Sequence, residues 1–155
     1  MCGIVGFTGH QSAKDTLIEG LRRLEYRGYD SAGIALQNAT NEELTVVHRV
    51  GKVAGLAEAV EYLDNASPCG IGHTRWATHG APSERNAHPH TSCDNKIAVV
   101  HNGIIENFAE LREQLEARGH KFRSDTDTEV VAHLIEEAYS GNLRDAVAKA
   151  CSQIV

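Results

Sequence analysis

The sequence predicts an α+β domain, a mixed sheet with helices packed against it. Three observations predict it. Apolar runs of strand length recur along the chain, apolar stripes at helical spacing lie between them, and 155 residues suffice for one compact domain with its own core. Residues 1–155 are read as one domain, because no repeat, low-complexity segment or linker divides them.

The elements follow in order. Residues 2 to 8, CGIVGFT, read as a strand. Ser12 can cap a helix whose stripe is Ala13, Leu17, Leu21 and Leu24, with Arg27-Gly28 at its end. Residues 31–37 and 43–49 read as strands joined by a polar Asn/Thr turn. A second helix carries Val53, Leu56, Val60 and Leu63. Strand-like runs return at 69–75 and 96–101. Phe108, Leu111 and Leu115 mark a helix that stops at Gly119. Thr126-Asp-Thr-Glu129 fits a capping box before a helix bearing Val131, Leu134, Ile135 and Ala138. Asn142 and Leu143 open a last helix that runs to the C-terminus.

Two stretches do not fit simple packing. Residues 76–95 lack periodicity and hold the only tryptophan, two prolines and three histidines. Long irregular loops inside compact domains usually carry function. The chain also stops at Cys151-Ser-Gln-Ile-Val155, in what reads as the middle of a helix.

Composition excludes several classes. The net charge of −6 offers no basic excess for nucleic acid or an anionic membrane. No apolar run approaches the roughly 20 residues of a membrane helix. Met1 to Phe7 is apolar but lacks a basic leader and a cleavage pattern, so it reads as a buried strand of a cytoplasmic protein. Cys2, Cys69, Cys93 and Cys151 are widely spaced and read as free thiols. His73, His79, His88, His90 and His101, with Cys69 and Cys93, match no familiar zinc spacing, so no metal is expected.

Chemistry concentrates in four places. Cys2 directly follows Met1. Removal of the initiator would give Cys2 a free α-amine, whose ordinary pKa of roughly 7.7–8.0 suits a general base. One residue then supplies nucleophile and base. Taken alone, Cys2 reads equally as a small residue starting a buried strand. His73-Thr-Arg-Trp-Ala-Thr-His-Gly80 offers Arg75 as a fork for a carboxylate, Thr78 and His79 as hydrogen-bonding groups and Trp76 as a cover; taken alone, it is a surface arginine beside a core tryptophan. In His101-Asn-Gly-Ile-Ile-Glu-Asn107, the Asn102 amide and the Gly103 N–H can aim two donors at one oxygen, the requirement of an oxyanion hole. The plainer reading is an Asn-Gly turn. Ser124-Asp-Thr-Asp-Thr-Glu129 places carboxylates at a helix start, where Asp127 can pair with an ammonium or simply serve the helix dipole.

The set of motifs resembles a known family. Met-Cys-Gly-Ile-Val-Gly6, Arg23-Leu-Glu-Tyr-Arg-Gly-Tyr-Asp-Ser-Ala-Gly33, His73 to Gly80, Asn86-Ala-His-Pro-His90, His101 to Asn107 and Ser124 to Glu129 are similar to the glutaminase domain of the glucosamine-6-phosphate synthase family. That domain is a class II glutamine amidotransferase of the N-terminal-nucleophile type. The motifs lie in family order over residues 1 to about 130. The LEYRGYDSAG stretch, the tryptophan in HTRWATHG and NAHPH look less like the phosphoribosyl amidotransferase or asparagine synthetase branches.

The resemblance implies an αββα four-layer sandwich, truncated at its C-terminus here, with further strands and two isomerase domains beyond. It implies that L-glutamine is hydrolysed to glutamate and ammonia through a Cys2 thioester. Ammonia would pass to the isomerase part, which makes glucosamine 6-phosphate from fructose 6-phosphate. Catalysis falls to Cys2, Asn102 and Gly103. Arg75, Trp76, Thr78, His79 and Asp127 bind substrate, and Arg27, Gly28 and His88 support them. No cofactor is implied, and the complete enzyme is expected to be a homo-oligomer. Other readings are a fragment that binds glutamine without turnover, the glutaminase of another class II amidotransferase, a Cys/His hydrolase using Cys93 or Cys69, and a zinc-binding module.

Overall fold

The computed structural model describes residues 2–41, 43–63, 66–76 and 82–155. The elements are β1 (Gly3–Thr8), α1 (Ala13–Leu24), β2 (Ser31–Gln37), β3 (Leu44–Val50), α2 (Val53–Val60), β4 (Cys69–Arg75), β5 (His90–Thr91), β6 (Ala98–Val99), α3 (Phe108–Ala117), α4 (Glu129–Ala138) and α5 (Leu143–Cys151). Short 3-10 turns at Glu25–Arg27 and Glu84–Asn86 fill two connections. Among the described residues, no helix is long and apolar enough to cross a membrane.

Strands β1, β4, β2 and β3 form one antiparallel sheet in that order, and β5 pairs antiparallel with β6. Successive side chains on a strand face opposite sides. On the first side of the larger sheet, Ile34 and Leu36 of β2 meet Leu17, Leu21, Val53, Leu56 and Val60 of α1 and α2 in one core. On β4, Gly70 and Gly72 leave room for Leu17 and Leu21 to approach. The second side carries Gly33, His48 and His73. There His48 Nε2 lies 2.9 Å from the Pro89 carbonyl oxygen, and the ring of His73 stacks on that of His88. Residues 88–90 lead into β5, so the smaller sheet lies over this side. Beyond it, Leu111, Leu115, Val130, Leu134, Ala146 and Ala150 of α3, α4 and α5 make a second core with Ile97 and Val99.

Local chemistry explains the helix ends. Ser12 accepts a hydrogen bond from Asp15 N–H at the start of α1, and Asn142 does the same for Asp145 before α5. Helix α2 has no cap of its own. Glu25 supplies one by accepting from Val53 N–H at 2.8 Å, while the buried Lys14 Nζ donates to the Leu63 carbonyl at 2.7 Å beyond the other end.

The expected strands at 2–8, 31–37, 43–49 and 69–75 are present to within a residue. Four expectations need correction. The single mixed sheet is, among the described residues, two antiparallel ones. The run 96–101 pairs only at Ala98–Val99, because the backbone turns away at 101–103 into the site described below. Thr126 and Glu129 form no capping box. Thr126 Oγ1 turns to His90 Nε2 at 2.7 Å, and the Glu129 carboxylate reaches back to Ser124 N, Ser124 Oγ and Arg123 N. Burial opposes the ionisation of Glu129, but the nearby His133 imidazole and hydrogen bonds from Ser124 and Arg123 outweigh it and hold its carboxyl well below the usual range. Finally, α5 ends at Cys151. Residues 153–155 then bond to Glu106 and Asn107 rather than continuing the helix. All four cysteines are free thiols.

Candidate active site

The register of the first two neighbouring strands builds the site. Gly3 pairs with Thr74, which places Cys2 at the strand end opposite Arg75. Trp76 N–H donates to Cys2 Sγ at 3.2 Å, and the Trp76 carbonyl lies 3.6 Å from the same sulfur. Around this point lies a cavity of about 340 Å³. Cys2, Arg75, Trp76, Asn102, Gly103 and Asp127 line it, joined by His73, His88, His101, Ile104, Thr126 and Thr128. The size lies at the lower end of what small-molecule sites show.

Asn102 is held from behind. His73 Nε2 lies 2.7 Å from Asn102 Oδ1, so a proton on Nε2 donates to that oxygen and the Nδ2 end of the amide faces the other way. Nδ2 donates to the Cys2 carbonyl at 3.4 Å. The amide donors are thereby aimed toward Cys2. Gly103 follows with φ 158°, and an added Cβ would stand 2.7 Å from the ring of His101. Any larger residue must displace that imidazole.

Asp127, also in the lining, is buried and its Oδ2 accepts from Ile105 N–H at 2.7 Å. Arg75 is buried as well, and its carbonyl accepts from Asp30 N–H at 2.8 Å. The cavity therefore sets one cation and one carboxylate into walls that otherwise carry no permanently charged side chain.

Two of the imidazoles at the cavity, His73 and His88, are held in the neutral form. Burial pushes His73 down to about 4 against the opposing hydrogen bond to Asn102. Burial, with the Arg75 charge adding to it, pushes His88 far lower still. His73 and His88 stack at 4.4 Å, and His88 meets His90 edge-on at 4.5 Å. His88 Nδ1 accepts from His101 N–H at 3.4 Å, which anchors the segment that presents Asn102. Among the described residues, no imidazole or carboxylate is hydrogen-bonded to the Cys2 sulfur.

Of the residues singled out in the sequence, Cys2, Arg75, Trp76, Asn102, Gly103, Asp127 and His88 come together in this cavity. Gly28 supports it from outside. Its φ is 98°, and an added Cβ would stand 2.6 Å from the Trp76 ring, so the indole packs directly on its backbone. Arg27 is exposed and its Nε donates to Tyr26 Oη at 3.3 Å, away from the cavity lining. Thr78, His79 and Met1 lie outside the described residues. His73, His101 and Thr128 received no role from the sequence, and Thr126 received only that of a helix cap. His73 and Arg75 share one strand face, and that period of two was the available signal for His73.

Comparison with known proteins agrees with this geometry. The family description "Glutamine amidotransferase domain" matches residues 58–147. A glutamine–fructose-6-phosphate aminotransferase (isomerizing) of Thermus thermophilus is 61% identical over 99% of this chain. The protein of that name from Pyrococcus horikoshii is 57% identical over 94%. The chain spans about a quarter of the length of these relatives, 25% and 24%. Among solved structures, a glutamine phosphoribosylpyrophosphate amidotransferase from B. subtilis superposes with a TM-score of 0.80 at 30% identity, covering 99% of this chain and 33% of its own. The expected N-terminal-nucleophile fold, with antiparallel sheets between helices, is thus the fold observed. This chain belongs to the glutamine amidotransferase domain family.

Proposed function

We propose that this chain hydrolyses the side-chain amide of L-glutamine to glutamate and ammonia. The observation that carries the reading is one cavity holding Cys2, Asn102 and Gly103 at one end and Arg75 and Asp127 in its walls. Arg75 takes the α-carboxylate and Asp127 the α-ammonium. Trp76, Thr78 and His79 complete the substrate-binding set, and Gly28, Arg27 and His88 support it.

With Met1 removed, the Cys2 α-amine takes the thiol proton and the thiolate attacks the δ-carbon. The developing oxyanion accepts from Asn102 Nδ2–H and Gly103 N–H. The α-ammonium returns its proton to the leaving nitrogen, and the C–N bond breaks to release ammonia. Water, deprotonated by the same amine, then attacks the thioester. Glutamate leaves and the thiol is restored. The lack of a side-chain base on the Cys2 sulfur among the described residues supports the amine in that role.

Residues 1–155 act as the N-terminal part of the amidotransferase domain. The relatives' greater length and names support isomerase domains downstream, which use the ammonia on fructose 6-phosphate; a cytoplasmic homo-oligomer is the assembly proposed for the complete enzyme. The test is glutamate release from glutamine. Cys2→Ala is expected to lower it by about 10⁴-fold or more, and a form with Met1 retained is expected to be similarly slow. Unchanged release by Cys2→Ala overturns the assignment. Equal rates with and without Met1 overturn the role of the amine.

A further inference from the structure

We infer that Cys93, His120, His133 and Glu136 form a four-ligand zinc site, outside the cavity lining and separate from glutamine chemistry. Their ligand atoms all lie within 4.8 Å of one another. The individual distances are more telling. Cys93 Sγ is 3.6 Å from His120 Nδ1 and 3.6 Å from His133 Nδ1. The two Nδ1 atoms are 3.3 Å apart, and each is 3.1 Å from Glu136 Oε2. A tetrahedral zinc ion with Zn–N of about 2.05 Å and Zn–S of about 2.3 Å spaces its nitrogens about 3.3 Å apart and its sulfur about 3.5 Å from each nitrogen. Five of the six edges of that tetrahedron can thus be read from the structure, and all five fit to within a few tenths of an ångström.

The surroundings favour a cation. His120 Nε2 lies 3.2 Å from Glu137 Oε1, and His133 Nε2 lies 3.7 Å from Glu129 Oε1. Carboxylates at the outer nitrogens call for protons there, which leaves the inner Nδ1 lone pairs facing each other and the Glu136 oxygen. A positive charge placed between them, a metal ion or a proton, makes that arrangement favourable. Carboxylates behind ligating imidazoles are the usual outer shell of a zinc site. Lys121 N–H also donates to Cys93 Sγ at 3.4 Å, which fixes the position of the sulfur. One thiolate, two imidazoles and a carboxylate, with all four positions taken by protein, suit zinc in a structural role. Binding releases the Cys93 proton.

The ion would tie three segments together: the β5–β6 turn through Cys93, the link before α4 through His120, and α4 itself through His133 and Glu136. The turn and helix it joins flank His90 and Thr126, which support the cavity floor. Sequence spacing hid the site. Its ligands are 27, 13 and 3 positions apart, and three of the four lay outside the group considered for metal.

The test strips the whole chain with a chelator, then adds Zn²⁺ or, separately, Co²⁺. One zinc per chain and a rise in Tm are expected. The Co²⁺ form should show a thiolate-to-cobalt charge-transfer band that survives Cys69→Ser and disappears in Cys93→Ser. Glu137→Gln, which leaves all four ligands in place, should weaken zinc binding by about 10- to 100-fold. Substoichiometric zinc in the unaltered chain, or a cobalt spectrum without the thiolate band, overturns the site even if Cys93→Ser fails to fold. A cobalt band unaffected by Cys93→Ser overturns it equally.

Discussion

The two faces of the four-stranded sheet are built by opposite means. The face under α1 and α2 is sealed by Leu17, Leu21, Ile34, Leu36 and Leu56, all essentially inaccessible. The face toward β5 carries His48 and His73 and meets it largely through hydrogen bonds and stacked rings. Strand β4, Cys-Gly-Ile-Gly-His-Thr-Arg, serves both. Its glycines admit leucines on one side while its histidine and arginine build the cavity on the other. Stability and chemistry are therefore separated by a single residue of register, and a slip by one would exchange them.

The largest way to break this comparison is Leu21→Ala. It should cost about 2–5 kcal/mol of stability, the usual range for a fully buried leucine. Denaturant unfolding measures the loss, and the turnover of the remaining folded protein should be unchanged. A comparable fall in kcat would mean that the two faces are coupled.

Asn102→Asp is the converse. It keeps an oxygen for His73 Nε2 and replaces the donor aimed toward Cys2. The expected fall in kcat for glutamine hydrolysis is about 10²- to 10³-fold or more. The midpoint of unfolding should hardly move, because Asn102 is exposed. Equal activity would remove Asn102 from the oxyanion hole.

The smallest effect sharpens the contrast through pH. His73 sits at about 4 in the folded chain against 6.5 ordinarily, so folding favours its neutral form. A group lowered in this way contributes fully above its unfolded value and loses the contribution as pH falls toward its folded value. Stability should decline between pH 6.5 and 4, by about 3 kcal/mol from His73, with His88 acting in the same direction. Leu21→Ala should show the same pH slope from a lower start. A flat profile would mean that these rings are solvated and not buried.

Much of this was legible in the sequence because it is local. Strand alternation, the Ser12 and Asn142 caps and the Gly119 stop, with its φ of 98°, depend on neighbours a few positions away. The motifs around Cys2, Arg75, Asn102 and Asp127 were visible as residue types suited to amide chemistry. Partnerships across the fold were not. Thr126 and Glu129 satisfy a capping-box pattern, yet His90 from 36 positions away and the backbone at 123–124 offered better partners. The same limit hid His73 behind Asn102, 29 positions on, and hid the meeting of Cys93 with three side chains of the C-terminal third.

The bonds between Cys2 Sγ and the Trp76 peptide have a practical consequence. The sulfur touches both polar groups of one main-chain unit, so its environment reports the position of that unit as well as its own ionisation. A thiol-directed label at Cys2 is thus also a displacement gauge for the point where the chain leaves β4. Anything that draws Trp76 inward or outward, whether a bound amino acid or a substitution at Gly28, should register as a change in labelling rate before it alters any bulk property of the fold.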